Sequence, residues 1–331
     1  MTEVLVTGGT GFIGKHLVES LINEGYSVKA LVRSLEMAKK LEEMGAKLVK
    51  GDITKPETLK GIAKGVEAVV HLAALMKFHG VKWEDLYRVN VLGTENIIKE
   101  ALRADVDHFI LTSTTEVIGP VEKIPADENS PTNPVYDYGR SKLLAEELAL
   151  NYYHREGLPV TIIRPSGVYG PGDLYVTYSV IRAIAKGLLK RLPSGGNHYI
   201  QFVFVKDVVQ GYLRALQHRD KAIGEIYIIT SEDYYTYKEA FTIIANTLGV
   251  PPPRGSMPVW LAKAVVWLIE KWNAIKGIDD FVFHVSVVED MLTDRVYSIE
   301  KARRELNYNP RYKFEEGMKI TIDWYKKIGY L

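Results

Sequence analysis

Through the first 165 residues, short apolar runs alternate with stretches whose apolar residues recur at helical spacing. Residues 4–6, 28–32, 46–49, 68–72, 109–112 and 160–164 are dominated by Val, Leu, Ile and Ala, the pattern of strands buried on both faces of a sheet. Helical spacing fills the intervals, most clearly at 12–24, 91–102 and 141–154. Strands alternating with helices predict parallel strands joined by right-handed crossovers, and so an α/β fold with a doubly wound parallel sheet. One more strand-like run, 225–230, is expected to extend that sheet. From Pro171 onward the rhythm breaks into loops, helices and short strands, with prolines clustered at Pro251, Pro252 and Pro253. The chain carries no internal repeat or low-complexity tract.

The first strand runs straight into Thr7-Gly8-Gly9-Thr10-Gly11-Phe12-Ile13-Gly14. Glycines 8 and 11, between a strand and an amphipathic helix, let the chain turn tightly and bring backbone N–H groups up to a pyrophosphate. Gly14 is expected to let the helix pack close to the sheet. The helix N-terminus adds unpaired N–H groups and the positive end of its dipole. Gly8, Gly11, Phe12, Ile13 and Gly14 are therefore candidate dinucleotide contacts. On this reading residues 1–170 form a dinucleotide-binding domain whose sheet is extended by part of 200–230. Residues 171–331 form a smaller, mixed α/β substrate-binding lobe interleaved with that sheet.

Composition fits a soluble globular protein, with 47% hydrophobic and 25% charged residues in a chain of 331. A net charge of +1 gives no general argument for nucleic acid or an acidic membrane surface. The absence of cysteine excludes disulfides, thiolate nucleophiles and Cys-based metal sites, and suits a reducing cytosol. The eight histidines show no ligand spacing, so no metal is expected. No signal peptide fits ahead of so early a strand, and a cytoplasmic location is expected. One segment stands apart, the tryptophan-rich helix at 258–276, with Pro258 at its first turn. Its Lys263 and Glu270 share one side and the remainder is broadly apolar. Its charges and limited length argue against a membrane span. It reads first as a lobe helix packed on the core or on a subunit partner. A lid over an apolar substrate and a membrane-surface helix are the alternatives.

Tyr138-Gly139-Arg140-Ser141-Lys142 is the second signal. Residues four apart share a helix face, so the Lys142 ammonium sits beside the Tyr138 phenol, where a cation stabilises phenolate and is expected to lower its pKa. The same spacing occurs at Tyr234–Lys238 and Tyr297–Lys301, but neither pair follows a strand that ends in a run of four hydroxyl residues such as 112–115. Tyr138 does follow one: Thr112, Ser113, Thr114 and Thr115 emerge where a parallel strand ends, the edge at which open α/β sheets bind ligands. A hydroxyl there can hold a substrate oxygen while Tyr138 exchanges its proton; a helix cap is the other use of such a residue.

These stretches resemble an extended short-chain dehydrogenase/reductase of the NAD-dependent epimerase/dehydratase family, nearly end to end. The resemblance is carried by the glycine loop, Gly51-Asp52-Ile53, His71-Leu72-Ala73-Ala74 and Asn90-Val91-Leu92-Gly93-Thr94. The Thr114 strand end, Tyr138 to Lys142, and Arg164-Pro165-Ser166-Gly167-Val168-Tyr169-Gly170-Pro171-Gly172 complete it. It implies a Rossmann fold and a catalytic group of Thr114, Tyr138 and Lys142, with Thr114 matched by its distance to Gly119. It further implies that Asp52 and Ile53 contact adenine, that Ala73 and Ala74 pass beneath the cofactor, and that Lys142 also binds the nicotinamide ribose. Pro165 to Val168 would border the nicotinamide. Many proteins of this kind form dimers through a four-helix contact, here using 91–102 and 141–154.

Cofactor choice is written about 20 residues beyond the glycine loop, where an acid binds the NAD ribose and an arginine accommodates the NADP 2′-phosphate. The chain reads Leu31-Val32-Arg33-Ser34 there, which favours NADP, with NAD the alternative. Arg33 stacking on adenine is the other use of that side chain. For the substrate, Ser113-Thr114-Thr115-Glu116-Val117 resembles the STDEV of sugar-nucleotide dehydratases and the STSEV of UDP-glucuronate decarboxylases. Threonine at 115 removes the dehydratase acid. Glu116 is either the extra carboxylate of those chemistries or a solvated loop carboxylate. Arg164-Pro165-Ser166-Gly167 departs from the RxxN element of sugar-nucleotide members and resembles dihydroflavonol reductases and 3β-hydroxysteroid dehydrogenases. Arg295 falls where sugar-nucleotide members place a phosphate-binding arginine. Ser113, Glu116, Ser166 and Arg295 are thus candidate substrate contacts. The expected activity is hydride transfer between nicotinamide and a secondary alcohol or ketone carbon, leaning to a dehydrogenase/reductase. An NDP-sugar epimerase and a catalytically silent NADP-binding sensor are the alternatives. A pocket walled by Trp260 and Trp267 would mark an apolar ketone, and cations near Arg295 a nucleoside diphosphate.

Overall fold

Seven parallel strands form the central sheet of the computed structural model, which describes residues 2–331 except positions 79, 277 and 279. In chain order they are β1 (Glu3–Thr7), β2 (Ser27–Val32), β3 (Lys47–Lys50), β4 (Ala68–His71), β5 (His108–Thr112), β6 (Val160–Pro165) and β7 (Ile226–Ile229). Their spatial order is β7-β6-β5-β4-β1-β2-β3, so the direction of winding reverses between β1 and β4. That reversal is a topological switch point, where open α/β sheets bind ligands at the strands' carboxyl ends. The doubly wound sheet expected from the alternating pattern is present, including the extension by 225–230.

Successive residues of β1 face opposite layers, as strand geometry requires. Val4 and Val6 enter a core with α1 (Phe12–Asn23), while Leu5 enters the other with α2 (Gly93–Arg103). The second core also takes residues from α3 (Asp137–Glu156). Helix α4 (Val205–Gln217) lies on the first face, where Val208, Val209 and Tyr212 join the core of β1. A third core, around Tyr169, Phe204, Phe241, Phe314 and Tyr325, lies among the later elements. The expected helix at 91–102 begins differently: Tyr87–Leu92 winds as a π-helix before α2. The expected helix at 141–154 starts earlier, so Tyr138 and Lys142 both lie on α3. The tryptophan-rich segment is α5 (Val259–Lys276). Among the described residues, no helix is long and apolar enough to cross a membrane.

Candidate active site

A cavity of about 520 Å³ opens at the carboxyl ends of the strands. One end is lined by Gly8, Gly11, Phe12, Ile13 and Gly14. Helix α1 starts there with Gly11 as its N-cap, no side-chain cap and no acid in its first turn. Its backbone N–H groups are left for a ligand, which is the arrangement an anionic pyrophosphate fits. A Cβ at Gly14 would collide with the Gly8 carbonyl oxygen and come within 2.8 Å of the Gly9 Cα. The close approach is thus to the loop itself, not to the sheet as the sequence pattern implied.

Thr112 to Glu116 line the cavity's middle together with Tyr138 and Lys142. Thr114 caps a short 3₁₀ turn, its Oγ1 accepting the Glu116 N–H at 3.2 Å. Gly139 lets α3 press on this turn, because a Cβ there would stand 2.8 Å from the Glu116 carbonyl oxygen. Beneath them runs a buried polar network. The Asn90 Oδ1 accepts the Leu75 N–H at 2.7 Å, and its Nδ2 donates to Leu75 O and to Ser141 Oγ, the latter at 2.9 Å. Thr94 donates to the Asn90 carbonyl, and His71 bridges Thr94 and Thr7 at 3.1 and 2.8 Å. These bonds tie β1, β4, the π-helical turn and α3 into one rigid support. Burial, and then the Lys142 charge, push the His71 pKa down to about 3, so the ring is neutral at pH 7.

The expected lowering of the Tyr138 pKa is reversed here. The phenol is buried, and desolvation followed by the Glu116 carboxylate raises it well above its ordinary value. Lys142 is buried as well, and desolvation pushes its pKa down to about 8, with Glu146 opposing that shift. Spacing on one helix puts both groups in the cavity lining, but burial decides their titration. Glu146 is itself held by Arg164, whose Nε and Nη2 donate at 2.9 and 2.6 Å in a fully buried pair. Arg164 is thus a structural partner of α3.

The far end of the cavity is mostly apolar, though Asp173, Thr177 and Arg191 also line it. Val176, Leu188, Leu192, Phe241 and Met291 line it, as do Ala262, Val265, Val266 and Ile269 of α5. Phe78 meets Tyr138 edge-on with centroids 5.4 Å apart, and Phe281 meets Phe78 at 5.5 Å. Trp260 and Trp267 do not wall this space; they are 71% and 51% exposed. Arg295 reaches the cavity already paired. Its Nη1 contacts both Glu116 oxygens at 2.9 and 3.0 Å, and its Nη2 contacts Asp290 at 2.6 Å. Burial opposes the guanidinium's charge, but Glu116 and Asp290 more than offset this and hold its pKa well above the ordinary value. Glu116 is therefore neither an unengaged catalytic carboxylate nor a solvated loop acid. Tyr136 donates to Asp290, and Tyr237 donates to the Asp290 carbonyl at 3.2 Å. Neither Asp290 nor Tyr136 was legible as a site residue, since no motif carries them.

A family model for the NAD dependent epimerase/dehydratase family matches residues 4–230. The chain belongs to that family. It is an enzyme, an NAD(P)-dependent oxidoreductase of the extended short-chain dehydrogenase/reductase type. It is 30% identical to sterol-4-alpha-carboxylate 3-dehydrogenase, decarboxylating, of Bos taurus, covering 96% of this chain and 90% of the relative. It is 28% identical to 3 beta-hydroxysteroid dehydrogenase/Delta 5-->4-isomerase of Mycobacterium tuberculosis, over 98% of this chain and 91% of the relative. The crystal structure of DesIV, a dTDP-glucose 4,6-dehydratase from Streptomyces venezuelae with NAD and TYD bound, superimposes with a TM-score of 0.77 at 26% identity, covering 98% and 97% of the two chains.

Within this family member, the cavity brings together the glycine-loop residues, Ala74, Ser113, Thr114, Glu116, Tyr138, Lys142, Arg295 and the segment from Pro165 to Val168. Arg33, Ser34, Asp52, Ile53 and Ala73 are not among its lining residues. Arg33 is exposed at the end of β2, and its charge acts on Asp52 of the adjacent strand end. Ser34 Oγ accepts the Met37 N–H at 3.4 Å, and Asp52 accepts both the N–H and the hydroxyl of Thr54. Ile53 is turned into the core against Gly93. Ala73 donates its N–H to Thr7 below the loop. Ser166, which lines the cavity, shares a 2.6 Å hydrogen bond with Thr230. Tyr234–Lys238 and Tyr297–Lys301 lie outside the lining. Among the described residues, no group of His, Asp and Glu side chains is arranged to hold a metal ion.

Proposed function

We propose that this protein is a reductase/dehydrogenase that interconverts a ketone and a secondary alcohol on an apolar substrate, with NADP(H) as its cofactor. The observation that carries the reading is the pairing of Arg295 with Glu116 and Asp290 beside a mostly aliphatic and aromatic cavity end. A guanidinium already neutralised by two carboxylates is poorly disposed toward a diphosphate, whereas the aliphatic and aromatic wall favours a greasy ring system. On this reading residues 1–170 hold the dinucleotide and 171–331 form the substrate lobe.

A bound nicotinamide supplies or accepts the hydride. Tyr138 supplies the proton: its phenol, kept protonated by burial, donates to the substrate oxygen as the carbonyl is reduced. Lys142 stabilises the phenolate left behind and binds the ribose. Thr114 Oγ1, whose lone pair already accepts the Glu116 N–H, keeps its proton free to bond the same substrate oxygen. Ser113 Oγ is buried, lacks a hydrogen-bond partner and lines the cavity, so it is a further donor in reach of the substrate. Gly8, Gly11, Phe12, Ile13 and Gly14 cradle the pyrophosphate, Asp52 borders the adenine, and Ala73, Ala74, Pro165 and Val168 frame the rest of the dinucleotide.

The test is a panel of apolar cyclic ketones and UDP- or dTDP-sugars, each incubated with the protein and NADPH. Net NADPH oxidation with a ketone is expected. Epimerisation of a sugar nucleotide without net cofactor turnover would overturn the reading in favour of the epimerase alternative, and no turnover of either class would overturn it as well. Arg33 supports the NADP preference, because a guanidinium at the tip of β2 matches a 2′-phosphate. Replacing Arg33 by Ala is expected to weaken NADPH binding by at least about tenfold, the scale of one lost charge-assisted pair, with NADH binding nearly unchanged. Equal losses for the two cofactors in fluorescence titrations would remove this argument.

A further inference from the structure

Helix α5 is apolar on two opposite sides. Ala262, Val265, Val266 and Ile269 recur at helical spacing and line the cavity. Away from that side Trp260, Trp267, Leu268 and Ile275 are 71%, 51%, 62% and 82% exposed, and Trp272, on the last turns of α5 past the cavity lining, is 58% exposed. An exposed apolar stripe of that size marks an interaction surface, since isolated exposed residues do not align on one face. The stripe is also cationic. Lys271 lies over the Trp267 ring at 5.9 Å and Lys276 over Trp272 at 4.6 Å.

The adjoining chain adds to that charge. Arg254 donates its N–H to the Lys190 carbonyl, and Ser256–Met257 pairs with Leu192–Pro193, so 186–191 and the start of α5 lie side by side. Segments 186–191 and 254–276 together hold seven Lys and Arg and a single acid, Glu270. Glu270 accepts the Val285 N–H, and Lys263 pairs with Glu289. This concentration stands out in a chain whose net charge is +1. Exposed tryptophans interleaved with lysines match the interface of a bilayer, where indole rings sit at headgroup level and ammonium groups meet anionic lipid. A second copy is disfavoured on this face, because pairing two such surfaces would bring like charges together.

We propose that the outward face of α5 docks on an anionic phospholipid surface, lying in its plane without spanning it. The cavity behind the helix then lies close enough to take up substrate dissolved in lipid around the helix's flank, a corollary that rests on the apolar-substrate reading; the docking itself does not. Leu188, exposed and also lining the cavity, lies in the basic segment beside α5 and marks an opening on that side.

The experiment is vesicle flotation of the full chain with phosphatidylcholine alone and with added phosphatidylglycerol. The wild type is expected to float with the anionic vesicles and to be released by high salt, because the basic contribution is screened. A Trp260→Ser/Leu268→Ser/Ile275→Ser variant changes only exposed side chains and is expected to lose at least about tenfold in vesicle affinity, given the apolar area withdrawn. Lys271→Glu/Lys276→Glu is expected to lose the preference for anionic lipid. Both variants should keep the wild-type far-UV spectrum and the wild-type rate on a water-soluble secondary alcohol. Failure of the wild type to float with either vesicle, or equal flotation by the triple variant, would overturn the docking. So would a lipid-free dimer, seen by sedimentation, that the triple variant dissociates. Flotation without turnover of any ketone would leave the docking standing and sink only the proposed reaction.

Discussion

Replacing Tyr138 by Phe is expected to lower turnover by about 10²- to 10⁴-fold, the contribution of a positioned proton donor, while changing dinucleotide affinity by less than about twofold. The substitution keeps the ring and its edge-on contact with Phe78 at 5.4 Å, so packing in the site survives. Only the hydroxyl is lost. In the reductive direction the wild-type rate should also break downward as pH rises above about 8. Lys142 is lowered to that value by burial, carries its proton below it and loses above it the charge that supports a departing proton. Stopped-flow cofactor oxidation across pH, with parallel dinucleotide titrations, reads both effects. Turnover retained in the Phe variant would assign the proton to another group.

The largest stability effect is expected from Arg164→Met, at about 3–5 kcal/mol, because it strands the buried Glu146 carboxylate. Two guanidinium bonds of 2.9 and 2.6 Å now satisfy that carboxylate, with both side chains excluded from water. Arg164→Met/Glu146→Leu removes both charges and should recover most of the loss in urea denaturation. A double variant no more stable than the single one would mean that packing, not charge, dominates. The single variant has a second consequence. Glu146 already raises the Lys142 pKa against desolvation, so freeing its charge should move the alkaline break in the rate profile upward.

The sheet and the glycine loop were legible because their signals are local. Buried parallel strands are nearly all apolar, and a turn into an uncapped helix requires glycine at set positions. Tyr138 and Lys142 were legible for the same reason, four residues apart on one helix. Contacts between distant residues were not. Arg295 meets Glu116 across 179 residues, so the sequence could offer its charge but not its partners. Burial was equally invisible, and it reversed the direction of the Tyr138 pKa. Helix α5 misled for a different reason. With only Lys263 and Glu270 sharing a side and apolar residues around most of the rest, its pattern does not fix an orientation, and Trp260 and Trp267 face outward instead of walling the cavity. The π-helical turn at Tyr87–Leu92 has no periodic signature distinct from the helix it joins.

The late arrival of β7 bears on how the chain is made. Strand β6 ends at Pro165, but the strand that covers its open side is not synthesised until Ile226–Ile229, and α4 reaches the sheet only at 205–217. While the polypeptide is still emerging from the ribosome, β6 presents a bare row of amide and carbonyl groups beside Ile162 and Ile163, a template for pairing with a neighbouring nascent chain. The first half of this protein is therefore a poor candidate for expression by itself, and chaperone demand should peak before residue 229 has cleared the exit tunnel.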